Sequence, residues 1–101
     1  MQGEARLSLD AGHPVFAGHF PGRPMVPGVM LLDAALHAVV QASGVPAAGC
    51  RIASAKFLSP VLPGESLLIT YSAGNGGAMR FDISCEGRAI ATGSFALGAP
   101  A

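Results

Sequence analysis

The sequence predicts an α+β fold in which a curved antiparallel sheet wraps around one central, buried helix. Three observations carry that expectation. From Val29 onward, apolar side chains recur at helical spacing and nearly all round the circumference, which marks a helix buried in the domain rather than lying on its surface. One alternating apolar–polar segment stands ahead of it, and three or four more follow it, separated by turn signals. The 101 residues form a single domain, 1–101, because two cores in that length would each be too small to offset chain entropy.

Taken in order, "ARLSLD" alternates at Leu7 and Leu9 and reads as a half-buried first strand. "AGHPVFAGHFPGRPMVPG" is dense in prolines and glycines and reads as a long irregular connection, of the kind that compact domains keep for function. Pro27 and Gly28 mark the start of the helix; Val29, Met30, Leu32, Leu36, Val39 and Val40 give it its apolar surface; Gly44 and Pro46 end it. "CRIASAKFLSP", with Ile52 and Phe57, reads as a strand, and "ESLLITYSAG" as another after the turn "LPGE". "NGG" is a hairpin signal. In "AMRFDISCEG" the residues Met79, Phe81, Ile83 and Cys85 alternate, and "RAIATGSFALG" follows a tight turn at Glu86-Gly87-Arg88.

Composition narrows the function. Half of the residues are apolar and 12% are charged, more apolar surface than a domain of this size can hide alone, so a sizeable subunit interface is expected. Six basic and six acidic side chains give a formal charge of zero, which argues against nucleic acid as a partner. "MQGEARLSLD" lacks the apolar core of a signal peptide, and no window approaches a membrane span. The expectation is a soluble, cytoplasmic chain that does not enter a membrane. Cys50 and Cys85 fall in no CxxC or metal spacing and read as reduced, buried thiols. His13, His19 and His37 have no ligand spacing either, so neither a metal nor a cofactor is expected.

The polar residues of "GHFPGRPMVPGVMLLD" stand out from their apolar surroundings. His19 precedes Phe20-Pro21-Gly22, where proline fixes the chain and glycine permits a sharp turn. Asp33 falls in the second turn of the helix among apolar neighbours; a carboxylate there must be exposed, paired, or kept protonated. Between the two, the first helical turn offers backbone N–H groups, those of Gly28 and Val29 included, that favour developing negative charge. A histidine can take a proton from carbon, helix-terminal amides can hold an enolate oxygen, and a carboxyl in an apolar pocket can protonate a leaving hydroxyl. That sequence of steps describes α,β-elimination of water from a 3-hydroxyacyl thioester. Two other chemistries use the same parts: a thioesterase, whose helix carboxylate activates water, and a non-catalytic module that holds acyl chains on a carrier protein.

"GHFPGRPMVPGVMLLDAAL" resembles the signature of the 3-hydroxyacyl-[acyl-carrier-protein] dehydratases of the hot-dog superfamily, and "AKFLSPVLPGESLLITY" is similar to a strand–turn–strand segment of the same enzymes. The resemblance runs over roughly residues 13–97. It implies the hot-dog fold, with His19 as the catalytic histidine, Asp33 as the catalytic acid and the Gly28 amide as donor to the thioester carbonyl. Val29, Phe16 and Phe20 would line the substrate site. It also implies a homodimer, possibly a higher oligomer, in which histidine and acid of one site come from different subunits. The partner it implies is an acyl carrier protein bearing a 3-hydroxyacyl chain. The sequence departs from the family in three ways. The acid is aspartate where the plain dehydratase branch has glutamate, the chain is shorter than typical members, and His37 replaces a common glutamine. One turn after Asp33 on the same face, His37 is placed to orient it, to spoil it as an acid by favouring its charged form, or to sit as a satisfied interface residue.

Overall fold

The computed structural model describes residues 2–8, 28–44, 49–62 and 64–97. Strand β1 (Gln2–Ser8) precedes helix α1 (Gly28–Ser43), which is followed by β2 (Cys50–Phe57), β3 (Ser66–Ala73), β4 (Ala78–Cys85) and β5 (Arg88–Leu97). The strands form one five-stranded sheet in the order β1-β3-β4-β5-β2. Every neighbouring pair is antiparallel.

Alternation in the sequence decides which face of the sheet is wet. In β4 the side chains of Met79, Phe81, Ile83 and Cys85 are buried and those of Arg80 and Asp82 are exposed, as period-2 patterning requires. Leu67 and Ile69 of β3 and Ile90, Ala91 and Phe95 of β5 join the same core. Phe81 and Phe95 stack at its centre, with ring centroids 4.9 Å apart and planes inclined by 23°.

Helix α1 lies on this core through Leu31, Ala35, Ala38 and Val39, one stripe at i, i+4, i+7 and i+8. Its surface is apolar nearly all round, but within one chain it is buried only along that stripe. Val29, at 72% exposure, and Asp33, His37, Gln41 and Ala42 stand outside it. A single sheet has one inner face and can cover only one side of a helix. The helix stops where the sequence puts a glycine: Gly44 adopts φ 75°, and its N–H donates to the Val40 carbonyl at 2.9 Å.

Turns follow their local chemistry. Glu86 and Gly87, with φ of 49° and 82°, make the tight connection that joins Cys85 to its partner Arg88. "NGG" forms a short 3₁₀ turn over Asn75–Gly77, with Gly76 and Gly77 both at positive φ. Position 9 lies outside the described residues, and β1 runs to Ser8. Neither cysteine is in a disulfide; Cys85 is buried and Cys50 is only partly so.

The segment between β2 and β3 is tied down rather than loose. The N–H groups of Leu58 and Ser59 donate to the Ile90 carbonyl at 2.8 and 3.3 Å, and Val61 is buried. Glu65 then closes the turn. Its carboxylate accepts from the Leu62 N–H at 2.8 Å, from Arg88 Nη2 at 2.9 and 3.0 Å, and from Cys85 Sγ at 3.4 Å. The Leu62 amide, with lesser help from Arg88 and Cys85, holds the Glu65 carboxyl below the usual carboxylate range; burial works the other way. Burial and the adjoining Glu65 carboxylate push the Cys85 thiol up, so it stays protonated and inert near neutrality.

Two outcomes test this packing. A Cβ at Gly93 would run into the Ser54 carbonyl oxygen of β2 and come within 2.8 Å of the buried Phe81 ring. Gly93→Ala should therefore cost about 3 kcal/mol in urea unfolding, at the upper end of the overpacking range. Because Glu65 binds its proton less readily in the folded chain, its contribution is present above the unfolded carboxyl pKa and is lost as pH falls through the lower folded value. The urea midpoint should accordingly fall on acidification below about pH 4.5, and Glu65→Gln should flatten that acid limb.

Candidate active site

The seating of α1 decides where its polar side chains go. With Leu31, Ala35 and Ala38 turned to the sheet, Asp33 and His37, one turn apart, point outward and are both exposed. Of the three possibilities the sequence leaves for Asp33, the single chain realises exposure. The two residues line one groove of about 600 Å³ between α1 and β1. Ala34 and Ala38 contribute small side chains to it, Ile69 and Tyr71 enter from β3, and Glu4 and Arg6 from β1 are its other charged lining groups. An acid and an imidazole therefore share one partly apolar groove.

The helix N-terminus supplies the second part of the site. Gly28 opens α1, and the amides of its first turn have no acceptor within the helix. The absent side chain of Gly28 would, on the sequence alone, leave room for a ligand to reach the amide. The structure fills that room with Phe57, the last residue of β2: a Cβ on Gly28 would lie 2.9–3.3 Å from three atoms of the ring. Glycine avoids a close contact there, because an aromatic ring already sits in the side-chain direction. Val29 is exposed beside it.

Asp33, His37, Gly28 and Val29 are thus all on one helix, along its outer face and at its start. His19, Phe16 and Phe20 lie outside the described residues. Phe57 is the residue that sequence reasoning missed. Its signal was available: an aromatic side chain at the end of a strand, followed at once by the breaker-rich "LSPVLPG". Among the described residues no three His, Cys, Asp or Glu side chains gather closely enough to hold a metal ion, and no helix is long and apolar enough to cross a membrane.

One helix laid on a five-stranded antiparallel sheet, with an acid on its outer face and first-turn amides that have no acceptor within the helix, defines a hot-dog protein. Comparison with known proteins places it further. A family profile described as ApeI-like, "ApeI dehydratase", matches residues 2–94. The 3-hydroxyacyl-[acyl-carrier-protein] dehydratase FabZ of Thermus thermophilus is 39% identical, across 93% of this chain and 76% of its own length. Among solved structures, the dehydratase heterocomplex ApeI:P from Xenorhabdus doucetiae superposes with a TM-score of 0.81 at 26% identity, covering 97% of this chain and 88% of that one. Slr0204 of Synechocystis, a 1,4-dihydroxy-2-naphthoyl-CoA thioesterase, shares the fold alone, with a TM-score of 0.67 at 12% identity over 99% of this chain and 89% of that one. The chain belongs to the ApeI-like dehydratase family. It is a hydro-lyase, an enzyme that removes water from its substrate.

The contact between Gly28 and Phe57 can be tested by stability alone. Gly28→Ala should lower stability by about 1 kcal/mol, since a ring half exposed to solvent can yield. Combining it with Phe57→Ala should remove that increment, giving a coupling energy of about 1 kcal/mol in a double-mutant cycle.

Proposed function

We propose that the chain dehydrates 3-hydroxyacyl thioesters carried on acyl carrier protein to trans-2-enoyl thioesters, in the cytoplasm, as a homodimer with shared sites. The observation that carries this reading is the outward-facing Asp33 in its groove, close to the start of the same helix, in a chain of the dehydratase family. The named substrate class of the Thermus relative supports it.

In this mechanism the thioester carbonyl oxygen accepts the Gly28 N–H at the positive end of α1, which lowers the barrier to enolate formation. His19 removes the C2 proton. The electron pair left on C2 forms the C2–C3 double bond as the C3–O bond breaks. Asp33 gives a proton to the departing hydroxyl, and water leaves. Return of a proton from His19 to Asp33, through water, restores both groups. Aspartate is one methylene shorter than glutamate, and His37, one turn further along the same groove, orients it. Val29, exposed at the start of α1, is assigned to the apolar lining of the site, a role proposed also for Phe16 and Phe20.

The other edge of the sheet supports the dimer. Strand β2 is an edge strand, exposed along its length apart from Cys50. Ile52 and Phe57 are 54% and 51% exposed, and Leu58 and Leu62 just beyond are also open. An apolar edge with unpaired backbone groups invites another strand, and a second copy supplies one. The Xenorhabdus relative is described as a heterocomplex, so sedimentation of this chain alone separates self-association from pairing with a different chain.

His19→Ala and Asp33→Asn should each lower the rate of 2-enoyl formation by about 10²–10⁴-fold with the fold retained. Mixing the two variants should restore up to about a quarter of wild-type activity, since half of the dimers are then mixed and each holds one intact site of two. Near-normal turnover by His19→Ala would remove the assignment. Release of acid from acyl thioesters without a 3-hydroxyl would point to thioester hydrolysis instead.

A further inference from the structure

Phe57 has no role in the core that explains its position. It is absent from the buried cluster, half exposed, and yet firmly placed. Its backbone pairs with Ala91 of β5, and the next two amides, those of Leu58 and Ser59, both donate to the Ile90 carbonyl. The chain is therefore fixed on both sides of the ring, and the ring is directed at the first residue of α1. Its three nearest atoms lie where the side chain of Gly28 would begin.

We infer that Phe57 is a specificity-determining wall of the site, which holds the acyl end of the thioester and excludes substituents at C2. The inference rests on the dehydratase reading above. A carbonyl oxygen bound to the Gly28 N–H approaches along the amide, a direction different from the one Cβ would take. The bound thioester and the ring thus stand side by side. The carbonyl carbon has two neighbours, sulfur and C2. Val29 and Leu58, the chain neighbours of Gly28 and Phe57, are exposed and apolar, which suits the alkyl side and offers nothing to the polar amides of a pantetheine arm. With C2 against the end of the ring (Cζ, Cε1 and Cε2), a methyl branch there has room only if the ring moves, whereas an unbranched chain passes beside it.

The test compares pantetheine thioesters of 3-hydroxybutyrate and of 2-methyl-3-hydroxybutyrate (both C2 epimers, each retaining one C2 proton). Enoyl product is measured by mass spectrometry for the wild type, Phe57→Ala, Phe57→Leu and Phe57→Tyr. In Phe57→Ala the ratio of kcat/KM for branched over unbranched substrate should rise about tenfold, the effect of one methyl group in a filled pocket. Phe57→Tyr should keep the wild-type ratio, and Phe57→Leu stands in for alanine if that variant does not fold. A rise below about threefold in the smaller variants overturns the inference. So does an unchanged ratio accompanied by dissociation in sedimentation, which makes the ring an interface contact only. If the wild type does not dehydrate the unbranched thioester, the dehydratase reading itself fails and the inference falls with it. If it does and the ratio stays put, only the role of Phe57 falls.

Discussion

The seating of one stripe of α1 on the sheet fixes the rest of this protein. Leu31, Ala35, Ala38 and Val39 set the rotation of the helix about its axis, and the fully buried Ala35 lets it lie close to the strands. Successive residues of a helix are about 100° apart, so the rotation admits no adjustment by one position. Advancing the stripe by a residue or two would swing Asp33 toward Phe81 and Ile83 and bury a carboxylate without a partner, at a cost of several kcal/mol. The apolar contact that stabilises the domain is thus also what presents the acid outward. Stability and chemistry are two faces of the same sixteen residues.

That double use explains a composition otherwise odd for a small chain. The helix needs apolar residues on the sheet side for folding, where Leu32 and Leu36 pack partly against the same core, and it keeps Val29 exposed at its start for other contacts. Strand β2 also keeps apolar side chains open at the far edge of the sheet, Ile52 and Phe57 both being about half exposed. Among the described residues, Asp33 and His37 share a groove on the helix side and Glu65 pairs with Arg88 at the turn.

Much of this was legible beforehand because it depends on local periodicity. The alternation of Met79, Phe81, Ile83 and Cys85 names the buried face of β4 outright, and Gly28 and Gly44 bracket the helix to within a residue. Asp33 and His37 were legible as a pair because i and i+4 positions share a helix face in any context. What escaped was the outcome of tertiary contact. Nothing in the helix sequence distinguishes the stripe that meets the sheet from the apolar residues that do not. The reason for glycine at 28 lies nearly thirty residues away in Phe57, a pairing that only the strand order brings together. The exposure of β2 was hidden for the same reason, since edge and central strands of similar composition look alike until their neighbours are known.

The strand order has a consequence for synthesis. β3, β4 and β5 are joined by short turns and close small loops, whereas Gln2 of β1 must find Ser72 of β3 from the opposite end of the chain. A ribosome delivers β1 first, yet it has no neighbour to bond until the tyrosine-bearing strand has emerged. The wall that flanks Asp33 is accordingly made well before its partner and cannot be set in place until β3 exists.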